Sequence, residues 1–178
     1  MLRLVPPSLD GIAGYVAALE TGWSPDTTRD VSAEQVAMYR RDPAELIHEL
    51  VRQDGMIKTV SGEYPRLPSR ELWLDDGAFC GRINLRFVPG SDALPPAVPG
   101  HIGYAVVPWK RRRGHATEAV RLMLPVAREV GLKRVQIICD EDNDLSRRVI
   151  VANGGIFERS YETDGTAKLS FWIDLAAC

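Results

Sequence analysis

The apolar positions of this chain follow one period, then another, and the change sets out its elements. Residues 1–5 make a short apolar start, ended by Pro6 and Pro7. Leu9, Ile12, Val16 and Leu19 share one helical face, with Ser8 placed to cap it. A loop over 22–30 leads to a second helix opened by Ser32, with Gln35 at the capping-box position. Pro43 separates it from a third helix, whose stripe is Leu46, Ile47, Leu50 and Val51. From 54 to 70 no period holds. Gly55, Gly62, Pro65 and Pro68 punctuate an expected long connection, read as a wall of a substrate site or as a plain surface loop.

Period two then takes over. Residues 71–74 and 78–87 predict a hairpin around Asp75-Asp76-Gly77. In its second strand Arg82, Asn84 and Arg86 alternate with Ile83, Leu85 and Phe87, which predicts one wet face and one buried face. A proline-rich loop over 89–99 precedes a strand at 101–107, a basic turn, and a helix over 115–130 that contains Pro125, where a bend is expected. A strand at 133–139, an acidic turn, a helix at 145–152, and paired strands at 156–162 and 168–175 around Asp164-Gly165 complete the chain. The pattern is α/β, an early helical section followed by mostly antiparallel strands with one strand–helix–strand unit, and it fits a single domain over 1–178.

Composition narrows the function classes. The net charge is -2, against a general affinity for nucleic acid, so the run Lys110-Arg111-Arg112-Arg113 needs a local reason. Cys80, Cys139 and Cys178 have neither metal-ligand nor disulfide-framework spacing. No signal peptide or membrane-length apolar run is visible, so a cytoplasmic protein without metal, membrane or nucleic-acid partner is expected.

The basic turn sits between a strand and a helix start, where free N–H groups and the dipole favour an anion. Gly114 and Ala116 allow close backbone approach, Arg111, Arg112 and Arg113 add charge, and Thr117 adds a hydroxyl. These residues describe a phosphate or diphosphate cradle, or otherwise a solvated basic turn. They form neither a dinucleotide-binding glycine fingerprint nor a Walker A loop.

The turn Arg111-Arg112-Arg113-Gly114-His115-Ala116 resembles the Arg/Gln-x-x-Gly-x-Gly/Ala motif of the GCN5-related N-acetyltransferase (GNAT) superfamily. The preceding Gly103-Tyr104-Ala105-Val106-Val107-Pro108 resembles its splayed strand. The later Asp142-Asn143-Asp144-Leu145-Ser146 and Asn153-Gly154-Gly155-Ile156 also fit. The resemblance implies a mixed, mostly antiparallel sheet flanked by helices, with a splayed strand pair that takes acetyl-CoA. It implies that amides from Arg111 to Ala116, His115 included, bind the pyrophosphate, and that Val106 and Val107 pair with the pantetheine arm. Asn143 and Ser146 would lie beside the coenzyme, or serve only as a helix cap and first-turn residue.

The implied activity is direct acetyl transfer from acetyl-CoA to a primary amine, on a small molecule or a peptide, by a monomer or homodimer. The family often places an acidic tyrosine seven residues after the helix-opening asparagine; here that position is Ile150. The remaining candidates for proton transfer are Tyr104, His101 and Glu71. The missing tyrosine keeps open a non-catalytic acyl-CoA-binding regulatory protein. The basic run keeps open a nucleic-acid-binding module.

Overall fold

The computed structural model describes residues 1–59, 62–163 and 165–177. Asp164 of the expected final turn and Cys178 lie outside them, as do residues 60 and 61. Among the described residues, nine strands and five α-helices follow in the order β1 (Arg3–Val5), α1 (Ile12–Glu20), α2 (Ser32–Arg41), α3 (Pro43–Val51), β2 (Met56–Thr59), β3 (Gly62–Pro65), β4 (Ser69–Asp75), β5 (Phe79–Arg86), β6 (Ile102–Val106), α4 (His115–Glu129), β7 (Arg134–Asp140), α5 (Asp144–Ala152), β8 (Ile156–Thr163) and β9 (Thr166–Asp174). This is a mixed α/β fold with antiparallel sheets.

The helical section departs from expectation at its caps. Helix α1 starts three residues late, behind Gly11, and Leu9 is exposed. The capping box of α2 does not form. Asp30 accepts the Ser32 N–H and hydroxyl, while Gln35 turns inward to accept the Tyr15 hydroxyl at 2.5 Å. Asp42 caps α3 through the Ala44 N–H at 2.9 Å, with Pro43 opening the helix, where its missing N–H costs nothing. The expected long connection is largely the antiparallel ribbon β2–β3.

Two sheets divide the other strands, β1-β4-β5-β6 and β7-β9-β8. Their meeting point is His101, whose N–H donates to the Gln136 carbonyl at 2.7 Å. Gln136 returns its own N–H to His101 Nδ1 at 2.9 Å. Gly100 (φ +76°) makes this approach possible, since a Cβ there would stand 2.9 Å from the Gln136 oxygen. Beyond that fork no ladder joins β6 to β7 among the described residues, so the two strands splay.

Each face of the first sheet has its own core. Leu74, Ile83, Leu85 and Ile102 pack with Val120, Met123 and Leu124 of α4 and with Ile137 of β7. On the other face Tyr15, Trp23, Trp73 and Leu46 join α1 and α3 to the sheet, and Tyr15 stacks on Trp73 with centroids 5.0 Å apart. The polar face of β5 is therefore not wet: Arg82, Asn84 and Arg86 are half-buried. Helix α4 runs through Pro125 without a break.

Candidate functional site

The strand-to-helix turn is built by two left-handed residues. Arg112 has φ +60° and Gly114 has φ +78° with ψ 0°. Gly114 is the N-cap of α4, no side chain caps the helix, and the first intrahelical bond runs from the Glu118 N–H to the Gly114 carbonyl. The N–H groups of His115, Ala116 and Thr117 therefore precede the helical ladder. A Cβ at Gly114 would meet nothing within 4 Å. These donors and that open space suit a diphosphate. Arg112 and Arg113 are exposed beside them. Arg111 is turned back, its Nε donating to the Val106 carbonyl at 3.1 Å.

The turn is braced from below. Lys110 Nζ donates to both Asp76 carboxylate oxygens at 2.9 Å, and His115 Nε2 lies 3.2 Å from Asp76. These contacts tie the β4–β5 turn to the start of α4. Lys110 holds the Asp76 carboxyl down at about 2, and burial pushes the Cys80 thiol up to about 11. Asp76, Cys80 and His115 bring potential metal-ligand atoms within 4.8 Å of one another, but the Lys110 ammonium already sits on the carboxylate. The sequence shows Asp76 only as a hairpin-turn residue and Lys110 only as part of the basic run, because the two partners are remote in the chain.

The register of β6 decides which of its backbone groups are open. Arg86 N–H donates to the His101 carbonyl and Val107 N–H to the Cys80 carbonyl, both at 2.9 Å. Bonded pairs alternate along an antiparallel ladder, so Gly103, Ala105 and Val107 face β5, as does the His101 carbonyl, while the His101 N–H turns to Gln136. Ile102, Tyr104 and Val106 turn their N–H and carbonyl groups to the splayed cleft. The expectation for Val107 is therefore corrected. Its N–H is bound to Cys80, its carbonyl accepts the Lys110 N–H at 3.0 Å, and its side chain is buried. Val106 is the residue that presents its backbone.

Helix α5 closes the cleft. Asn143 caps it, its Oδ1 accepting the Ser146 N–H at 3.0 Å. Ser146 Oγ lies 2.7 Å from the Tyr104 hydroxyl, so a hydrogen bond bridges β6 and α5. Burial pushes the Tyr104 phenol up to about 12. Ile150 is fully buried in the core. Asn153 donates to the Thr117 carbonyl at 3.2 Å, fixing the end of α5 against the first turn of α4.

Two sequence candidates for proton transfer are corrected. His101 is wholly buried, its Nδ1 is occupied by the Gln136 N–H, and burial pulls it down to about 4. It is a neutral part of the fork and not an accessible base. Glu71 is committed to Arg82, which bonds both of its oxygens, one through Nε at 2.7 Å. Burial pushes the Glu71 carboxyl up, and Arg82 opposes that shift. The sequence holds one signal for this: Arg82, Asn84 and Arg86 at period two make a polar row on the strand paired with that of Glu71, and Arg82 of that row meets Glu71 across the strands.

Comparisons with known proteins agree with this geometry. Residues 3–156 match the family model described as an acetyltransferase (GNAT) domain. Among solved structures, RimJ of Mycobacterium smegmatis in complex with CoA-disulfide is 19% identical at a TM-score of 0.63, covering 99% of this chain and 83% of its own. The microcin C7 self-immunity acetyltransferase MccE, in complex with acetyl-CoA and AMP, is 14% identical at 0.61, covering 97% and 92%. A candidate ribosomal-protein-serine acetyltransferase of Vibrio cholerae is 15% identical at 0.59, covering 97% and 93%. At these identities the likeness is one of fold. A search of curated proteins finds no match.

Proposed function

The chain belongs to the GNAT acetyltransferase family, and on that premise we propose that it is an acetyl-CoA-dependent N-acetyltransferase acting on a primary amine. The observation that carries the reading is the set of unladdered N–H groups at the start of α4, set beside the open edge of β6. Acetyl-CoA supplies an activated acetyl thioester. The amides of His115, Ala116 and Thr117 hold its diphosphate, helped by Arg112 and Arg113. Arg111 swings from Val106 to the diphosphate, and Val106 then offers its backbone to the pantetheine arm. An outward N–H of β6, at Val106 or Tyr104, polarises the thioester carbonyl.

The amine nitrogen attacks the acetyl carbon, the C–S bond breaks, an amide forms and the thiol leaves. Water takes the proton lost by the amine, and the sulfur, leaving as thiolate, takes a proton from solvent. Tyr104 stays protonated at physiological pH and donates a hydrogen bond to the sulfur as negative charge develops on it; Ser146 orients the phenol. Tyr104 thus serves where the family often uses a helix tyrosine, whose position is held here by the core residue Ile150.

That same Ile150 favours one rival reading, a protein that binds acyl-CoA without turnover. Free-thiol release from acetyl-CoA, measured over a panel of primary amines, separates the two. Amine-dependent release supports transfer. Tight acetyl-CoA binding with no release on any amine supports the regulator.

A further inference from the structure

The polar face of β5 holds a guanidinium in contact with no carboxylate, and the transfer described above does not use it. Arg82 and Glu71 neutralise each other through two hydrogen bonds. Asp26 and Glu71 both act on Arg86 electrostatically, but at a distance: Asp26 Oδ1 accepts the Thr28 N–H at 2.8 Å and the Thr28 hydroxyl at 2.6 Å, and Glu71 bonds Arg82. Arg86 is left over. Its side chain makes no hydrogen bond or ion pair with any described residue, and its Nε is sealed from solvent without a partner. Burial and the like charge of Arg82 pull its pKa down to about 10, against the opposing charges of Asp26 and Glu71.

A second unpartnered atom lies beside it. Asn84 Oδ1 is also sealed and accepts from no donor among the described residues. Both groups reach over one residue of β6. A Cβ on Gly103 would come within 2.9 Å of Arg86 Nη2 and 3.0 Å of Asn84 Oδ1. Gly103 lies between the fork at His101 and the open backbone of Val106, along the strand proposed to hold the pantetheine arm. A folded chain rarely leaves a sealed guanidinium N–H and a sealed amide carbonyl near one another without partners. The guanidinium fork matches an anionic oxygen group, and the amide oxygen matches an N–H donor.

We propose that the acetyl acceptor is an amine bearing its own anionic oxygen group, which Arg86 binds while Asn84 Oδ1 accepts a hydrogen bond from the amine N–H. This inference rests on the N-acetyl-transfer reading and specifies its substrate class. Arg86 then selects the acceptor, and Glu71 keeps Arg82 from competing for the anion. Plain alkylamines and polyamines meet a cation where the anion belongs and are disfavoured.

The test compares amines of matched length that carry a carboxylate, a phosphate, a neutral carboxamide or no second group, using thiol release as the readout. The carboxylate or the phosphate arm should exceed the neutral arms in kcat/KM by about tenfold or more, and the better anionic arm identifies the group. In Arg86→Gln that ratio should fall to within about twofold of unity; in Arg86→Lys, which keeps charge but loses the fork, it should lie between. Calorimetric affinity for acetyl-CoA reports whether each variant is folded. Equal use of charged and neutral amines, or an anion preference that survives Arg86→Gln, overturns the inference while leaving N-acetyl transfer standing. Acetyl-CoA binding without thiol release on any amine overturns both.

Discussion

Replacing Gly114 separates backbone strain from loss of the diphosphate cradle. Its φ of +78° lies in the left-handed region, where a residue with a Cβ costs about 1–2 kcal/mol. Nothing stands within 4 Å of the added carbon, so that strain is the whole expected cost to the protein alone. For a chain of this length, about 2–4 °C of Tm is lost per kcal/mol, so Gly114→Ala should lower Tm by about 2–8 °C. The coenzyme feels more. The added carbon enters the space in front of the His115, Ala116 and Thr117 amides. Loss of one charge-assisted hydrogen bond is worth about 1.5–3 kcal/mol, or about 10- to 150-fold in Kd. Gly114→Val, bulkier and β-branched, should do worse in both respects. Calorimetry with acetyl-CoA measures the effect on the coenzyme and a thermal melt the effect on the protein. A Kd within twofold of the parent protein, beside the expected drop in Tm, would show that Gly114 serves only the turn and would refute the cradle.

Tyr104→Phe should lower kcat by about 100-fold or more while leaving acetyl-CoA affinity unchanged; a loss below about threefold would reduce Tyr104 to packing. Because the folded pKa of Tyr104 is raised to about 12, its contribution to stability is complete below the unfolded value of 10.0 and is lost as pH climbs from there to 12, so the fall in Tm over that range should be smaller in Tyr104→Phe. His101 has the opposite sign: with a folded pKa near 4 against 6.5 unfolded, its contribution is complete above 6.5 and is lost as pH falls towards 4. His101→Asn should flatten that acid limb in pH-dependent melts, and an unchanged slope would count against the buried neutral imidazole. Glu71→Gln leaves Arg82 buried without its bonded counter-charge and should cost about 3–5 kcal/mol in urea unfolding. Combining Glu71→Leu with Arg82→Met in one protein removes both charges together and should avoid most of that cost, whereas a cost under about 1 kcal/mol for Glu71→Gln alone would deny the pair its structural role.

Much of this molecule is legible in its sequence because local rules and tertiary packing agree. The change from helical to strand period locates all the longer elements to within a few residues. The Arg111 to Ala116 motif falls, as expected, in the turn between a strand and a helix, where the cradle is proposed. What fails depends on contacts between distant residues. Gln35 leaves its capping position because Tyr15, twenty residues earlier in the chain, offers a buried hydroxyl. Val107 looks equivalent to Val106 in sequence, but ladder alternation gives the two residues opposite edges, and Cys80 claims the Val107 amide. His101 looks accessible at a strand start. Gly100 instead lets it close the fork with Gln136, and burial removes it from proton transfer. Arg82 and Arg86 read as a solvated face because nothing local announces that α1 to α3 fold over them. The ribbon β2–β3 escapes the sequence pattern because strands of four residues each carry too little periodicity to stand out among glycines and prolines.

The central claim is that acetyl moves from acetyl-CoA to nitrogen. The most direct measurement couples thiol release to the mass of the product, before and after hydroxylamine, which cleaves acetyl esters and thioesters but spares amides. One thiol is expected per acetyl gained by an amine, with a product that survives hydroxylamine. Thiol release that does not depend on the amine, or an acetyl group that hydroxylamine removes, would contradict it.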